Sequence, residues 1–159
     1  MIFPEHVYKF MYAALKEAEK ALDADEVPIG AVVVHQNQII GKGYNQTETL
    51  KDSTAHAEML ALTAASNHLQ SKFLDECDLY VTVEPCVMCS GAILLSRINN
   101  LYFGTFEPKF GACGSLINII ESGKYNHVPK MFSGIYADES KSLLENYFRN
   151  KRENSKNNS

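Results

Sequence analysis

The sequence predicts one α/β domain, a three-layer α/β/α sandwich around a single mixed sheet of about five strands. Three observations carry that reading. Short β-branched runs alternate along the chain with segments whose apolar residues recur at helical spacing. The first two strand-like runs are separated only by a short polar turn, whereas the later ones are joined through helical segments, so the sheet must be mixed. The 159 residues, 45% of them hydrophobic, supply one substantial core and not two.

Taken in order, Val7, Phe10, Met11, Ala14, Leu15, Ala18, Ala21 and Leu22 form an apolar stripe at three- and four-residue steps, a first amphipathic helix. "VPIGAVVVH" follows, and its β-branched run predicts a buried strand over 30–35. "QNQ" suits a hairpin turn, with "IIGKGYN" as the returning strand ending near Asn45. Residues 46–54 are polar and loop-like. "STAHAEMLALTAAS" returns to a helical period, with Leu60, Ala61, Ala64 and Ala65 on one side. "DLYVTV" is a strand, and Pro85 suits the first turn of the helix "CVMCSGAILLS" that follows. "NLYFG" and "KMFSGIY" complete the strands, and a closing helix over 137–150 presents Leu143, Leu144, Tyr147 and Phe148. The domain is thus expected to fill residues 1–150, with the polar tail 151–159 disordered.

A formal net charge of −4 argues against a protein coated with positive charge for a long duplex. It leaves room for a local basic patch, and Arg149, Lys151, Arg152 and Lys156 outnumber Glu145 and Glu153 at the C-terminal end. Tyr147 and Phe148 stand beside those charges, and aromatic plus basic side chains are what splayed loop bases and phosphates require. An amphipathic helix with its aromatics turned inward explains the same residues; Tyr147 is expected to pack, and Phe148 suits either role. No apolar run approaches the ~20 residues of a membrane span, and the N-terminus lacks the layout of a secretory signal. A soluble cytoplasmic protein is expected, where spaced cysteines more often bind metal or react than form disulfides.

Cys86 and Cys89, in "PCVMC", lie one helical turn apart, so both sulfurs project from one side of a helix start. The unpaired amides and dipole of that first turn favour thiolates. Alone, this spacing fits two buried structural thiols as well as a metal site. "HAE" adds His56 as a nitrogen ligand at the start of the other apolar helix, with the carboxylate of Glu58 two residues on. If the two helix starts meet, His56, Cys86 and Cys89 surround one ion with Glu58 beside it. Three protein ligands leave a fourth tetrahedral position for water, the arrangement of a catalytic zinc. A fourth ligand from Cys77, Cys113, His35 or His68 would make a closed structural site instead. Cys77 and Cys113 otherwise read as buried thiols, and His6, His35, His68 and His127 as surface or capping residues.

"HAE" followed by "PCVMC" matches the H-x-E…P-C-x-x-C pattern of zinc nucleobase deaminases. With "VPIGAVVV", "GYN", "TAHAEMLAL", "LYVTVEPCVMCSGAI", "SRI", "FG", "GACGS" and "LLENYFRNKR", the chain resembles the bacterial tRNA-specific adenosine deaminase family over nearly its whole length. That resemblance implies a cytidine deaminase-like fold with one zinc ion per subunit. It implies a hydrolase acting on a cyclic amidine C–N bond, converting adenosine to inosine at the wobble position of a tRNA anticodon. His56, Cys86 and Cys89 would be the metal ligands, and Glu58 the catalytic residue that protonates N1 of adenine as ammonia leaves. Asn45 matches a position whose amide binds the flipped nucleotide; Val27, Pro28 and Ile29 match the apolar wall against the base, and the Ala57 N–H lies at the base's edge. The implied substrate-binding set extends to Pro85, Glu107, Lys109, Phe148 and Arg149. A homodimer is implied, the anticodon loop touching both subunits. In "TFEPKFGACGS" the chain departs from the family: Glu107 stands where aspartate is usual and Phe110 where a smaller polar residue is common, while Lys109 agrees. Two rivals stand beside this reading, a deaminase of free bases such as guanine or cytosine and a non-catalytic zinc-stabilised RNA-binding module.

Overall fold

The computed structural model describes residues 2–158. In chain order it contains α1 (Glu5–Asp23), β1 (Gly30–His35), β2 (Gln38–Tyr44), α2 (Ala57–Leu69), β3 (Cys77–Val83), α3 (Val87–Leu95), β4 (Asn100–Thr105), β5 (Lys130–Ser133) and α4 (Ala137–Asn157). The strands form one mixed sheet in the order β2-β1-β3-β4-β5. β1 is antiparallel to β2 and to β3, whereas β3, β4 and β5 run parallel. The expected five-stranded α/β/α sandwich is what the chain forms.

Alternation along the central strands explains the layers. Ala31, Val33, Leu79, Val81, Leu101 and Phe103 point to one face, where Ala57, Ala61 and Ala65 of α2 and Ile93 and Leu94 of α3 close the larger core. Val32, Val34, Tyr80 and Tyr102 point to the other, against Val7, Phe10, Met11 and Ala14 of α1. The start of α4 joins that second face through Ile135 and Tyr136. Tyr80 stacks on Tyr102 with ring centroids 4.5 Å apart, and Tyr102 on Phe132 at 5.0 Å, a ladder across three strands.

The hairpin turn falls on Gln36 and Asn37, both with positive φ (50° and 62°), as a two-residue turn matched to strand twist requires. Gly43 of β2 lets α2 approach closely: a Cβ there would run into the backbone carbonyl of Ala57. That contact fixes where α2 begins, and so where His56 stands.

Several sequence expectations need adjusting. Pro85 does not open the third helix; Cys86 is its N-cap, with extended backbone (φ −75°, ψ 178°), and Pro85 lies just outside. Glu17, off the apolar stripe of α1, is nevertheless buried and paired with Lys20 Nζ at 2.9 Å, while Leu22 on the stripe is exposed. The last strand is shorter than "KMFSGIY", because Gly134 leaves the β region at φ 92°. The closing helix does not stop at Asn150 but continues to Asn157. Its second half holds good helix formers (Lys, Arg, Glu) and no Gly or Pro. Lys151 ties it to Asp25 across a 2.7 Å ion pair. Among the described residues no helix is long and apolar enough to cross a membrane.

Candidate metal centre

Local sequence delivers each ligand. β2 ends at Tyr44, and the Asn45 and Gln46 amides donate to the Ile29 and Ala55 carbonyls at 3.1 and 3.0 Å. The strand end carrying Asn45 is thereby tied to the 27–29 segment and to the residue before His56. Asp52 Oδ1 accepts the Thr54 amide at 2.8 Å and the Thr54 hydroxyl at 2.6 Å, an Asx turn that bends the chain into α2. His56 is the N-cap of α2 in extended conformation (φ −78°, ψ 152°). Neither His56 nor Cys86 turns its side chain back to cap its own helix. Both face across the gap between the two helix starts instead.

His56 Nδ1 lies 3.5 Å from Cys86 Sγ and 3.6 Å from Cys89 Sγ. The three ligand atoms all fall within 4.8 Å of one another, and among the described residues this is the only such group of His, Cys, Asp or Glu. A tetrahedral zinc with usual Zn–N and Zn–S bond lengths requires N···S edges of about 3.5–3.6 Å. The donor set and its spacing fit that ion. The alternative fourth ligands stand elsewhere. Cys77 begins β3, the strand whose far end leads to Cys86, and pairs in register with His35. His68 sits in the last turn of the helix that His56 starts. Cys113 Sγ is 3.3 Å from Ser90 Oγ.

The electrostatics follow from this geometry. Cys89 donates to the Cys86 sulfur, and that hydrogen bond, with help from His56 and against burial, lowers the Cys86 thiol well below its ordinary value. The same bond, burial and the Glu58 charge hold the Cys89 thiol up. His56 is raised chiefly by its hydrogen bond to Cys86, against burial, and its ring also hydrogen-bonds the Ser53 backbone. A cation between the sulfurs replaces the shared proton and lets both act as thiolates.

Glu58, in the first turn of α2, is only 4% exposed. Burial raises its pKa, opposed by its own backbone amide, by the His56 charge and by a hydrogen bond with Cys89. The carboxyl therefore stands beside the ligand group, as the sequence predicts, in surroundings that favour carrying a proton.

The other expected substrate contacts divide. Asn45, Pro28, Ala57 and Pro85 are buried and Val27 and Ile29 half-buried; Ala57 and Pro85 adjoin the two helix starts in the chain, and the backbone links above tie Ile29 to Asn45 and the residue after Asn45 to Ala55. Glu107 and Lys109 sit on a loop carried to the same place, because the Ala112 amide donates to the Pro85 carbonyl at 2.9 Å and Gly111 bridges Cys86. Phe148 is 45% exposed, edge-on to Tyr147, and Arg149 hydrogen-bonds Asn146 on its own helix. That turn of α4 is tied to Asp25, through Tyr147 and Lys151, and not to the His–Cys–Cys group. Arg97 stacks on Phe73, its guanidinium 3.8 Å from the ring centroid.

Besides Glu17, sequence reading missed two buried carboxylates that anchor loops. Glu26 is fully enclosed and accepts from the Glu48 amide (3.0 Å), the Thr49 amide (2.7 Å) and the Thr49 hydroxyl (2.6 Å), fastening the 46–54 loop beside the 27–29 wall. Glu84 does the same for the loop that carries Glu107 and Lys109. The available signal was an acidic residue within an apolar run for Glu84, "TVEPC", and at the head of one for Glu26, "EVPIG".

Comparison with known proteins agrees with this centre. The family model described as MafB19-like deaminase matches residues 5–152. The chain is 43% identical to the tRNA-specific adenosine deaminase of Aquifex aeolicus over 91% of its own length and 95% of the relative's. It is 43% identical to that of Bacillus subtilis, over 92% and 91%. A solved structure from a study of A-to-I editing by tRNA:A34 deaminases superposes with a TM-score of 0.82 at 43% identity, covering 86% of this chain and 99% of that one. The guanine deaminase of Nitrosomonas europaea is more distant, at TM-score 0.76 and 25% identity over 92% and 85%. With the two motif segments folded into one ligand group, and this level of identity across almost all of both chains, the protein belongs to the MafB19-like deaminases and to the family of tRNA-specific adenosine deaminases.

Proposed function

We propose that this chain hydrolyses adenosine to inosine and ammonia at the wobble position of a tRNA anticodon. The observation that carries the reading is the His56–Cys86–Cys89 group with a buried carboxyl, Glu58, at its side, in a chain closely similar to tRNA-specific adenosine deaminases. These three side chains would hold one zinc ion, which when bound would supply the electrophilic centre that makes water a nucleophile near neutral pH. Glu58 accepts one proton from the attacking water and delivers it to N1 of adenine, then accepts the remaining proton from the oxygen newly bonded to C6 and delivers it to the departing amine. Oxygen is thereby bonded to C6, the C6–N6 bond breaks, and ammonia leaves with the proton balance closed.

The remaining candidate residues bind and orient. The Asn45 amide group holds the flipped nucleotide, Val27, Pro28 and Ile29 exclude water from one face of the base, and the Ala57 N–H meets its edge. Pro85 packs behind the ligand helix. Glu107 and Lys109 on their loop, with Phe148 and Arg149 on α4, reach for the anticodon backbone. A cytoplasmic homodimer fits this role, because one subunit offers few cationic contacts for a folded RNA.

The experiment presents the purified, zinc-loaded protein with an anticodon stem-loop and, separately, with free guanine, cytosine and adenine. Inosine in the stem-loop is the expected product. Ammonia from the free bases alone would overturn the reading in favour of a small-molecule deaminase. Zinc-dependent binding of the stem-loop without product would favour the non-catalytic module.

A further inference from the structure

Glu84 has no part in the chemistry above, yet it occupies an unusual place. It is 3% exposed, lies between the last residue of β3 and Pro85, and is two residues from a metal ligand. Its Oε1 accepts the Glu107 amide at 3.0 Å and the Ser115 hydroxyl. Its Oε2 accepts the Cys113 and Ser115 amides, each at 3.0 Å. Gly111 passes so close that a Cβ there would collide with the carboxylate. Four donors converge on one side chain, and all four belong to the 106–115 loop.

That loop is irregular, and its outer surface is exposed at Phe106, Lys109 and Phe110. Apart from Glu84 it meets the ligand segment through the Ala112–Pro85 hydrogen bond, the Gly111–Cys86 bridge and the Cys113–Ser90 contact at 3.3 Å. Within it the Lys109 amide donates to Glu107 Oε1 at 2.9 Å and the Gly111 amide to the Glu107 carbonyl at 2.8 Å. Glu107 and Lys109 are thus one hydrogen bond from the Glu84 clamp. An enclosed carboxylate costs more to bury than an apolar side chain, so space-filling does not explain it. An acceptor-only group that satisfies otherwise orphaned amides does.

We propose that Glu84 is a positioning residue for the nucleic-acid substrate: it clamps the 106–115 loop to the metal-ligand segment and sets where the RNA-contacting side chains stand relative to the reacting base. The inference rests on the tRNA deaminase reading for the identity of the substrate.

Glu84→Gln is nearly isosteric but presents an NH2 group to donors that need an acceptor. The test measures zinc content, amide hydrogen exchange at Glu107, Cys113 and Ser115, and steady-state kinetics on an anticodon stem-loop. Expected are full zinc content, exchange faster by roughly tenfold or more at those amides, and KM raised by about tenfold or more, as loss of a charge-assisted hydrogen bond implies, with kcat changed far less. Ser115→Ala removes one donor, leaves the carboxylate in place, and should raise KM by a smaller factor even if the Gln variant does not fold. Unchanged exchange and KM in either folded variant, or activity lost in proportion to zinc, would overturn the proposal. Failure of the unmodified protein on the stem-loop would instead overturn the functional reading, and the amide exchange still decides the clamp.

Discussion

Replacing Glu58 by Gln separates metal binding from proton transfer. The side chain is 4% exposed and the substitution keeps its volume, so neither a cavity nor a clash is created. An amide can still hydrogen-bond the Cys89 sulfur, and a neutral group is cheaper to enclose than the carboxylate it replaces. Zinc content and thermal midpoint should therefore match the unmodified protein. What disappears is the capacity to take a proton and give it back, worth about 10²–10⁴ in rate for a positioned acid–base group. At about 1.36 kcal/mol per decade, that raises the barrier by roughly 2.7–5.5 kcal/mol. The assay is single-turnover inosine formation in an anticodon stem-loop at saturating protein, with metal content read on the same sample. Substrate affinity should change little, so the loss falls on the chemical step. A variant that retains its zinc and forms inosine within a few-fold of the unmodified rate would remove Glu58 from the mechanism. Loss of zinc together with activity would make Glu58 a support of the ligand group instead.

Cys86→Ala should lose the metal, and the stabilisation that zinc gives the unmodified protein in thermal melts should vanish in the variant, because binding free energy and folding free energy are linked. In metal-stripped native protein, iodoacetamide followed by peptide mass mapping should modify Cys86 first, since its thiol is lowered and half-exposed. Cys77 and Cys113, pushed up to about 11 and about 12 by burial, should resist until the protein unfolds. Glu26 makes a pH prediction. Burial alone would raise it, but the Thr49 hydroxyl and the Thr49 and Glu48 amides outweigh that and hold it below the ordinary carboxylate value. A depressed folded pKa contributes stability that is present above the unfolded value and is lost as pH falls through the folded one. Glu26→Gln should therefore destabilise by about 1.5–3 kcal/mol near neutrality, and the gap to the unmodified protein should close in acid. A gap independent of pH in denaturant titrations would refute that account.

The strands were legible because their alternation is dictated by two buried faces: Val32 and Val34 must turn one way if Ala31 and Val33 turn the other. The His56–Cys86–Cys89 group was legible because a site able to hold a metal demands specific atoms from specific residue types, and one helical turn between Cys86 and Cys89 already places two of them. The cap at Cys86 was less so. A proline before a helix suits the first turn and the residue before the cap alike, and the extended backbone of Cys86 follows from the loop bridged to it by Gly111. The length of α4 escaped because polar composition reads as disorder when no partner is visible. Its tie, Lys151 to Asp25, spans most of the chain and cannot be seen in a local window. Glu26 and Glu84 escaped for a similar reason: an acidic residue declares itself buried only when the donors that enclose it are known.

Glu26, Glu58 and Glu84 are all enclosed carboxylates, and their surroundings assign them different work. Glu26 and Glu84 each meet three or four N–H and O–H donors, so their lone pairs are spoken for and they hold loops. Glu58 meets only its own backbone amide and a thiol, and burial outweighs these and the His56 charge, so its pKa is raised. Of the three, it alone keeps lone pairs for a mobile proton and stands beside the ligand group where water would react. The same side chain becomes a clamp or an acid–base group according to how many donors the backbone aims at it. That difference in donor count, more than the presence of a glutamate in a motif, is the physical ground for assigning the proton transfer to Glu58.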